Sequence, residues 1–254
     1  MAENIKIVVA AHKPYWMPED TCYLPVWVGA ALKDDCEPEG WARDDQGDNI
    51  SGKNASYCEL TALWWAWKNL EADAVGLVHY RRHFSRGPFG SKRQRVARGD
   101  DIQAKLEAAP VLLPRPRNYV IETNYSQYAH AHHAKDLDLT REVLAELHPE
   151  TVAAWDASMA RTVGHRFNMA VMRRDLFDQW CTFLFSTLSE VENRVDLTGY
   201  SDYDRRLYGF LAERLLDPWL ETYDIPYAEM GVVHMEGQNW PRKALSFLQR
   251  KLRG

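Results

Sequence analysis

No apolar run in this sequence approaches the roughly 18 residues a spanning helix needs, so the chain carries no candidate for a transmembrane helix. Paired cysteines are missing too. Cys22, Cys36, Cys58 and Cys181 stand far apart with no CxxC spacing, which argues against a zinc ribbon or disulfide frame and fits reduced thiols. There is no GxGxxG, Walker A, GxSxG or HExxH, so the common dinucleotide, P-loop, hydrolase and zincin chemistries find no foothold. Positive charge in excess is absent as well. The net charge of −5, with no RNP-like or helix-turn-helix signature, argues against a nucleic-acid binder. The opening IKIVVAAH is too short and too early for a signal-peptide apolar region, so the expected compartment is the cytoplasm. Internal repeats and low-complexity linkers are lacking, and no domain boundary stands out.

What is present describes one α/β domain over residues 1–254, with strands and helices in alternation and a mostly parallel central sheet expected. Ile5–Ala11 is the expected first, central strand, and His12-Lys13-Pro14-Tyr15-Trp16 follows at its carboxyl end, as a ligand loop or a plain surface loop. Residues 17–55 are rich in Pro, Gly, Asp and Asn with little periodicity, and read as a functional loop around Asp44, Asp45 and Asp48. Ser56 and Glu59 have capping-box spacing, and Leu60, Leu63, Trp64 and Trp67 mark one helix face. Val75–Val78 is a short buried-type strand, after which the chemistry changes abruptly to His79-Tyr80-Arg81-Arg82-His83. Ligands of open α/β sheets bind beyond the carboxyl ends of strands, so His12, Lys13, His79, Arg81 and Arg82 point to an anionic ligand such as a diphosphate. From Ala74 to Gly99 there are seven Arg or Lys and no acid; residues 91–100 read as a solvated loop, and Arg81 and Arg82 differ in being tied to a strand end.

Val111–Leu113 is another buried strand, and His130, His132 and His133 form a dense segment without familiar zinc spacing, read as polar surface. Arg166–Met172 reads as a strand interrupted by Asn168, whose amide is either satisfied in the core or a ligand contact. A long amphipathic helix runs from about Leu176 to Val191. Asp202 and Asp204 open the next helix, where acids also suit the positive end of the helix dipole. Ile225–His234 returns to strand, and residues 240–254 combine five basic residues and no acid with an apolar stripe, as a packed helix or a membrane-surface one.

Several of these stretches, CELTALWWAWKN, VGLVHYRRHF, RFNMAVMRRDLFDQWC, YGFLAERL and HMEGQNW, resemble in order the bacterial capsular and exopolysaccharide glycosyltransferases catalogued as a domain of unknown function. The likeness covers roughly residues 4–250. It implies a GT-A-like, Rossmann-type fold and transfer from a nucleotide sugar, a UDP-hexose or UDP-galactofuranose, to a glycan or lipid-linked acceptor, with inversion. Where GT-A enzymes carry the DxD that binds Mn²⁺ or Mg²⁺, this chain has His79-Tyr80-Arg81, so the need for either ion stays open, and guanidinium groups can do the ion's electrostatic work on the leaving diphosphate. By the same resemblance His234 joins the diphosphate site with His12, and Asp202 or Asp204 is the catalytic base. A lipid-linked acceptor implies contact of the basic tail with the inner face of the membrane. The competing expectation is a non-catalytic nucleotide- or glycan-binding module.

Overall fold

The computed structural model describes residues 4–34 and 36–236. Two short aliphatic runs, Ile5–Ala11 (β1) and Ala74–His79 (β4), pair in parallel at its centre, with Ala10 opposite His79. Both are almost wholly buried, the state in which a strand reads as continuous Val, Ile and Leu. Their alternate side chains feed two cores. Val8, Ala10, Val75 and Leu77 pack on the larger cluster with Leu60, Phe177, Leu184 and Trp219; Ile7, Val9 and Val78 join Phe84, Ile102 and Leu106 on the other face. Gly76 is required by contact: a Cβ there would lie 2.8 Å from the Ala170 carbonyl oxygen.

Tyr23–Trp27 (β2) and Ala42–Arg43 (β3) extend the sheet in parallel beyond β1. The rest of the sheet is not mostly parallel. Tyr80 and Arg81 form a two-residue turn, so Arg82–Ser85 (β5) folds straight back with Arg82 opposite His79, and so short a connection permits only an antiparallel pair. Val111–Pro114 (β6), Ala170–Arg173 (β9) and Tyr227–His234 (β10) complete an eight-stranded mixed sheet of order β3-β2-β1-β4-β5-β10-β6-β9, with β9 also antiparallel to β4. Arg117–Asn118 (β7) and Val163–Gly164 (β8) make a separate two-stranded ribbon.

Helices Asn54–Tyr57 (α1), Leu60–Asn69 (α2), Gly99–Ala108 (α3), Asn124–Ala131 (α4), Ala134–Leu147 (α5), Val152–Ala160 (α6), Arg174–Arg194 (α7) and Leu207–Thr222 (α8) cover the sheet. On α7 the buried Phe177, Cys181, Leu184, Leu188 and Val191 recur at three- and four-residue steps, the stripe legible in the sequence. Each such Leu or Phe contributes at most about 1.5–3 kcal/mol through burial.

Within residues 17–55 the three aspartates Asp44, Asp45 and Asp48 make framework contacts. Asp44 is fully buried, and its carboxylate accepts from the Gly29 and Ala30 amides and the Ser51 and Thr61 hydroxyls at 2.5–3.0 Å. Asp45 pairs with Arg43, and Asp48 accepts from the Trp64 indole. The Ser56–Glu59 capping box does not form: Ser56 donates to the Lys53 carbonyl, and Cys58, at φ 53°, breaks the helix in two. The strand expected from Arg166 begins only at Ala170, because Phe167 and Asn168 take positive φ of 82° and 52°. The segment 91–100 is exposed over Ser91–Gln94 but returns to the fold through buried Val96 and Ala97. Among the described residues no helix is long and apolar enough to cross a membrane. The basic tail at 240–254, and the end of HMEGQNW, lie outside the described residues.

Candidate active site

The order β3-β2-β1-β4 puts β2 on one side of β1 and β4 on the other, so the order in which strands are added reverses between the parallel β1 and β4, where open sheets leave a crevice. A cleft of about 350 Å³ lies there. His12 enters it from the end of β1, and His79, Tyr80 and Arg81 from the end of β4 and its turn. Asn54 and Ala55 of α1, Cys58 and Glu59, and Arg206 from the turn before α8 line it as well.

Tyr80 organises the first wall. Its buried ring meets His12 edge-on at 5.2 Å and Tyr15 at 5.1 Å, with Lys13 Nζ 5.7 Å and the Arg81 guanidinium 5.0 Å from its centre. These cations gather on an aromatic face that favours them. Burial, then Lys33, Lys13, Arg81 and Arg206, lower the His12 pKa from its ordinary 6.5. That shift registers a positive field with contributions from four cationic side chains. Arg81 is half exposed and reaches Glu236 at 3.1 Å.

On the opposite wall Arg206 Nε donates to Cys58 Sγ at 3.1 Å. Burial, then Glu59, push the Cys58 thiol up to about 11, so it stays protonated at neutral pH. Glu59 Oε1 accepts from the Asn168 amide at 2.8 Å and lies 3.7 Å from His79 Nε2. The second hydrogen of that amide goes to the Gly209 carbonyl at 2.9 Å, and His79 Nε2 donates to the Phe167 carbonyl.

The structure therefore brings His12, His79 and Arg81 into one cleft, with Lys13 at its Tyr80 wall. The others lie around it. Asn168 reaches the cleft only through Glu59. Arg82 turns away, its guanidinium 4.8 Å from the Phe167 ring, and burial, then Arg81, lower its pKa. His234 is opposite Arg82 in β10, its ring 6.0 Å from Phe167. Asp202 is exposed on the turn that leads to Arg206. Asp204 accepts from the Ser201 hydroxyl at 2.6 Å, with His132 and His133 at 3.4 and 3.7 Å; Ser201 first, then the histidines, hold its carboxyl below the usual range. Neither acid lines the cleft. Sequence reading missed Cys58, Glu59 and Arg206. The one available signal for Glu59 was an acid three residues after Ser56, directly before a Trp-rich helix, and it suggested a cap.

Mn²⁺ and Mg²⁺ favour oxygen ligands, several of them carboxylates or phosphates. The cleft offers a single carboxylate beside two guanidinium groups, a poor fit for either ion. Among the described residues no group of three or more His, Cys, Asp or Glu is placed to hold a metal.

A family model described as "Domain of unknown function (DUF4422)" matches residues 6–224. Among solved structures, one titled "WbbM bifunctional glycosytransferase apo structure" superposes with a TM-score of 0.84 at 29% identity over 92% of this chain. This chain spans 46% of that one, about half its length. No curated protein matches.

Proposed function

Because the chain belongs to the DUF4422 family and shares its fold with about half of a bifunctional glycosyltransferase, we propose that it is a glycosyltransferase that uses a nucleotide-sugar donor. The observation that carries this reading is the cationic cleft beyond β1 and β4, with His12, Arg81 and Arg206 around a space large enough for a diphosphate and its sugar. The donor is a UDP-sugar, a hexose or galactofuranose, and the acceptor a glycan or lipid-linked saccharide of capsule, exopolysaccharide or O-antigen synthesis. The work is done at the cytoplasmic face of the membrane.

In this mechanism the acceptor hydroxyl attacks the anomeric carbon from the side opposite the diphosphate. The sugar–oxygen bond to the diphosphate breaks, the anomeric configuration inverts, and both bonding electrons leave with the diphosphate. Arg81, Arg206 and His12, with Lys13 behind them, take up the charge that develops on that leaving group. Preorganised positive charge in a partly dry site is usually the largest single source of acceleration. Arg82 and His234 stand beside the Phe167 ring at the edge of this site. The hydroxyl proton passes to Asp202 or Asp204; what supports this assignment is their place on the turn that carries Arg206 into the cleft. General-base help of this kind is worth roughly 10²–10⁴-fold.

A donor screen that scores UDP release in the presence of oligosaccharide acceptors, with and without EDTA, tests the reading. Turnover with one UDP-sugar that survives EDTA is expected. UDP-sugar binding without turnover over a broad acceptor set would leave a binding module instead.

A further inference from the structure

We propose that Glu59 reads the transferring sugar, its carboxylate accepting hydrogen bonds from ring hydroxyls at the floor of the cleft. The proposal rests on the donor-site reading above and names the group that recognises the neutral half of the donor.

Charge comes first. Glu59 is the one acid among the residues lining the cleft, where Arg81 and Arg206 supply the opposite sign. A carboxylate repels a diphosphate, whereas a hydroxyl-rich sugar gains from a group that only accepts hydrogen bonds. The two signs thus divide the cleft as a nucleotide sugar divides itself. A carboxylate also offers about four acceptor positions. Asn168 is the hydrogen-bond donor to the Glu59 side chain among the described residues, which leaves acceptor capacity for a ligand. With the Glu59 side chain only 15% exposed, water competes weakly for those positions.

Local structure gives the second argument. Glu59 stands at the N-cap of α2 yet makes no side-chain cap hydrogen bond, so capping does not account for it. The backbone is instead bent to hold its carboxylate. Of the five non-glycine residues with positive φ among the described residues, three act on this point. Cys58, at φ 53°, immediately precedes Glu59; Asn168, at 52°, clamps its Oε1; Phe167, at 82°, presents the carbonyl that orients His79 beside it. Such conformations persist only where the surroundings over-determine them, and they gather at ligand clamps. Asn168 is accordingly a positioning residue: it fixes Glu59 and leaves the ligand to it.

Calorimetry with UDP alone and with UDP-glucose, UDP-galactose and UDP-galactofuranose decides the matter. Wild-type protein should bind one UDP-sugar more tightly than UDP. Glu59→Gln, which keeps the shape of the side chain, should weaken that UDP-sugar at least about 10-fold and leave UDP unchanged or slightly tighter. Glu59→Asp, which keeps the charge but shortens the reach, should fall between. Asn168→Gly, which tolerates the positive φ, should lower the sugar's advantage in the same direction without touching UDP, a split that general destabilisation would not produce. The proposal is overturned if Glu59→Gln weakens UDP and UDP-sugar equally, if it keeps the full sugar advantage, or if the wild type shows no such advantage. Wild-type protein that binds neither UDP nor any UDP-sugar sinks the donor-site reading itself, and this proposal with it.

Discussion

Replacing Arg206 or Arg81 by Ala separates a diphosphate cradle from a merely basic surface. Arg81 is 41% exposed and its visible partner is Glu236, an ion pair of the exposed kind worth at most about 1 kcal/mol. Its loss should therefore barely move the melting temperature. A charge-assisted hydrogen bond to phosphate contributes about 1.5–3 kcal/mol, and exposure places Arg81 at the lower end, so UDP should bind about 10-fold more weakly to Arg81→Ala. Arg206 is anchored through Nε on Cys58 and lies 5.6 Å from the Phe210 ring. Less of its interaction is lost to ordering, so Arg206→Ala should cost UDP about 10–100-fold. Both guanidinium groups would share one diphosphate, so the double variant should depart from the product of the singles. Calorimetry with UDP at low and moderate salt, paired with melting curves, reads both quantities, and Arg141→Ala, which breaks an exterior pair with Asp156, serves as a control. Both single variants retaining UDP affinity within twofold of wild type would refute the cradle. Affinity lost only in proportion to stability would refute it too.

Four further outcomes follow from the geometry. His12 has a free-state pKa below 6.5, and a bound diphosphate opposes the cationic field that lowers it, so the complex holds more proton; UDP-sugar affinity should rise as pH falls from 8 toward 5.5, and His12→Gln should flatten the rise. His83 is fully buried, and burial lowers its pKa to about 4. Between pH 6.5 and 4 the unfolded chain takes up a proton that the folded one refuses, so up to about 3 kcal/mol of stability, present above pH 6.5, is lost as pH falls; denaturation across pH should show a shallower slope for His83→Phe. Asp202→Asn or Asp204→Asn should lower turnover at least about 10²-fold if that residue is the base, whereas a helix-dipole role would cost only about 0.3–1 kcal/mol of stability and leave the rate. Binding to anionic vesicles should weaken with salt and vanish on truncation at Asn239 if the basic tail contacts membranes; equal behaviour of full-length and truncated protein would remove that contact.

The crevice between β1 and β4 was legible because each strand is a short aliphatic run that ends in an abrupt change of chemistry, and strand ends are where such folds bind ligands. The stripe on α7 was legible for the same kind of reason. β2 was not. Its sequence, YLPVW, has a proline in the middle and no alternation, which normally demotes a strand. β3 pairs only with Val26 and Trp27, so Pro25 stands where the sheet is open on that side and its missing amide hydrogen costs nothing in the ladder. The mixed sheet was hidden in the Tyr80-Arg81 turn, which reads in sequence as the start of a basic loop. The second wall of the cleft was illegible for a different reason. Arg206 and Cys58 are 148 residues apart, and no local pattern announces that a helix will break at a cysteine with φ 53°.

That turn also decides which arginine matters at the cleft. A two-residue connection fixes His79 opposite Arg82, so the adjacent arginines cannot point the same way. Arg81, at the tip, faces the cleft beside Tyr80, and Arg82, already in β5, packs on Phe167. Arg82 thereby supports the residue whose carbonyl orients His79, and through it the Glu59 side of the cleft. A chain that held both arginines on one flexible loop would present charge alone. With the hairpin, one guanidinium faces the cleft, while the other braces Phe167, whose carbonyl orients His79 beside Glu59.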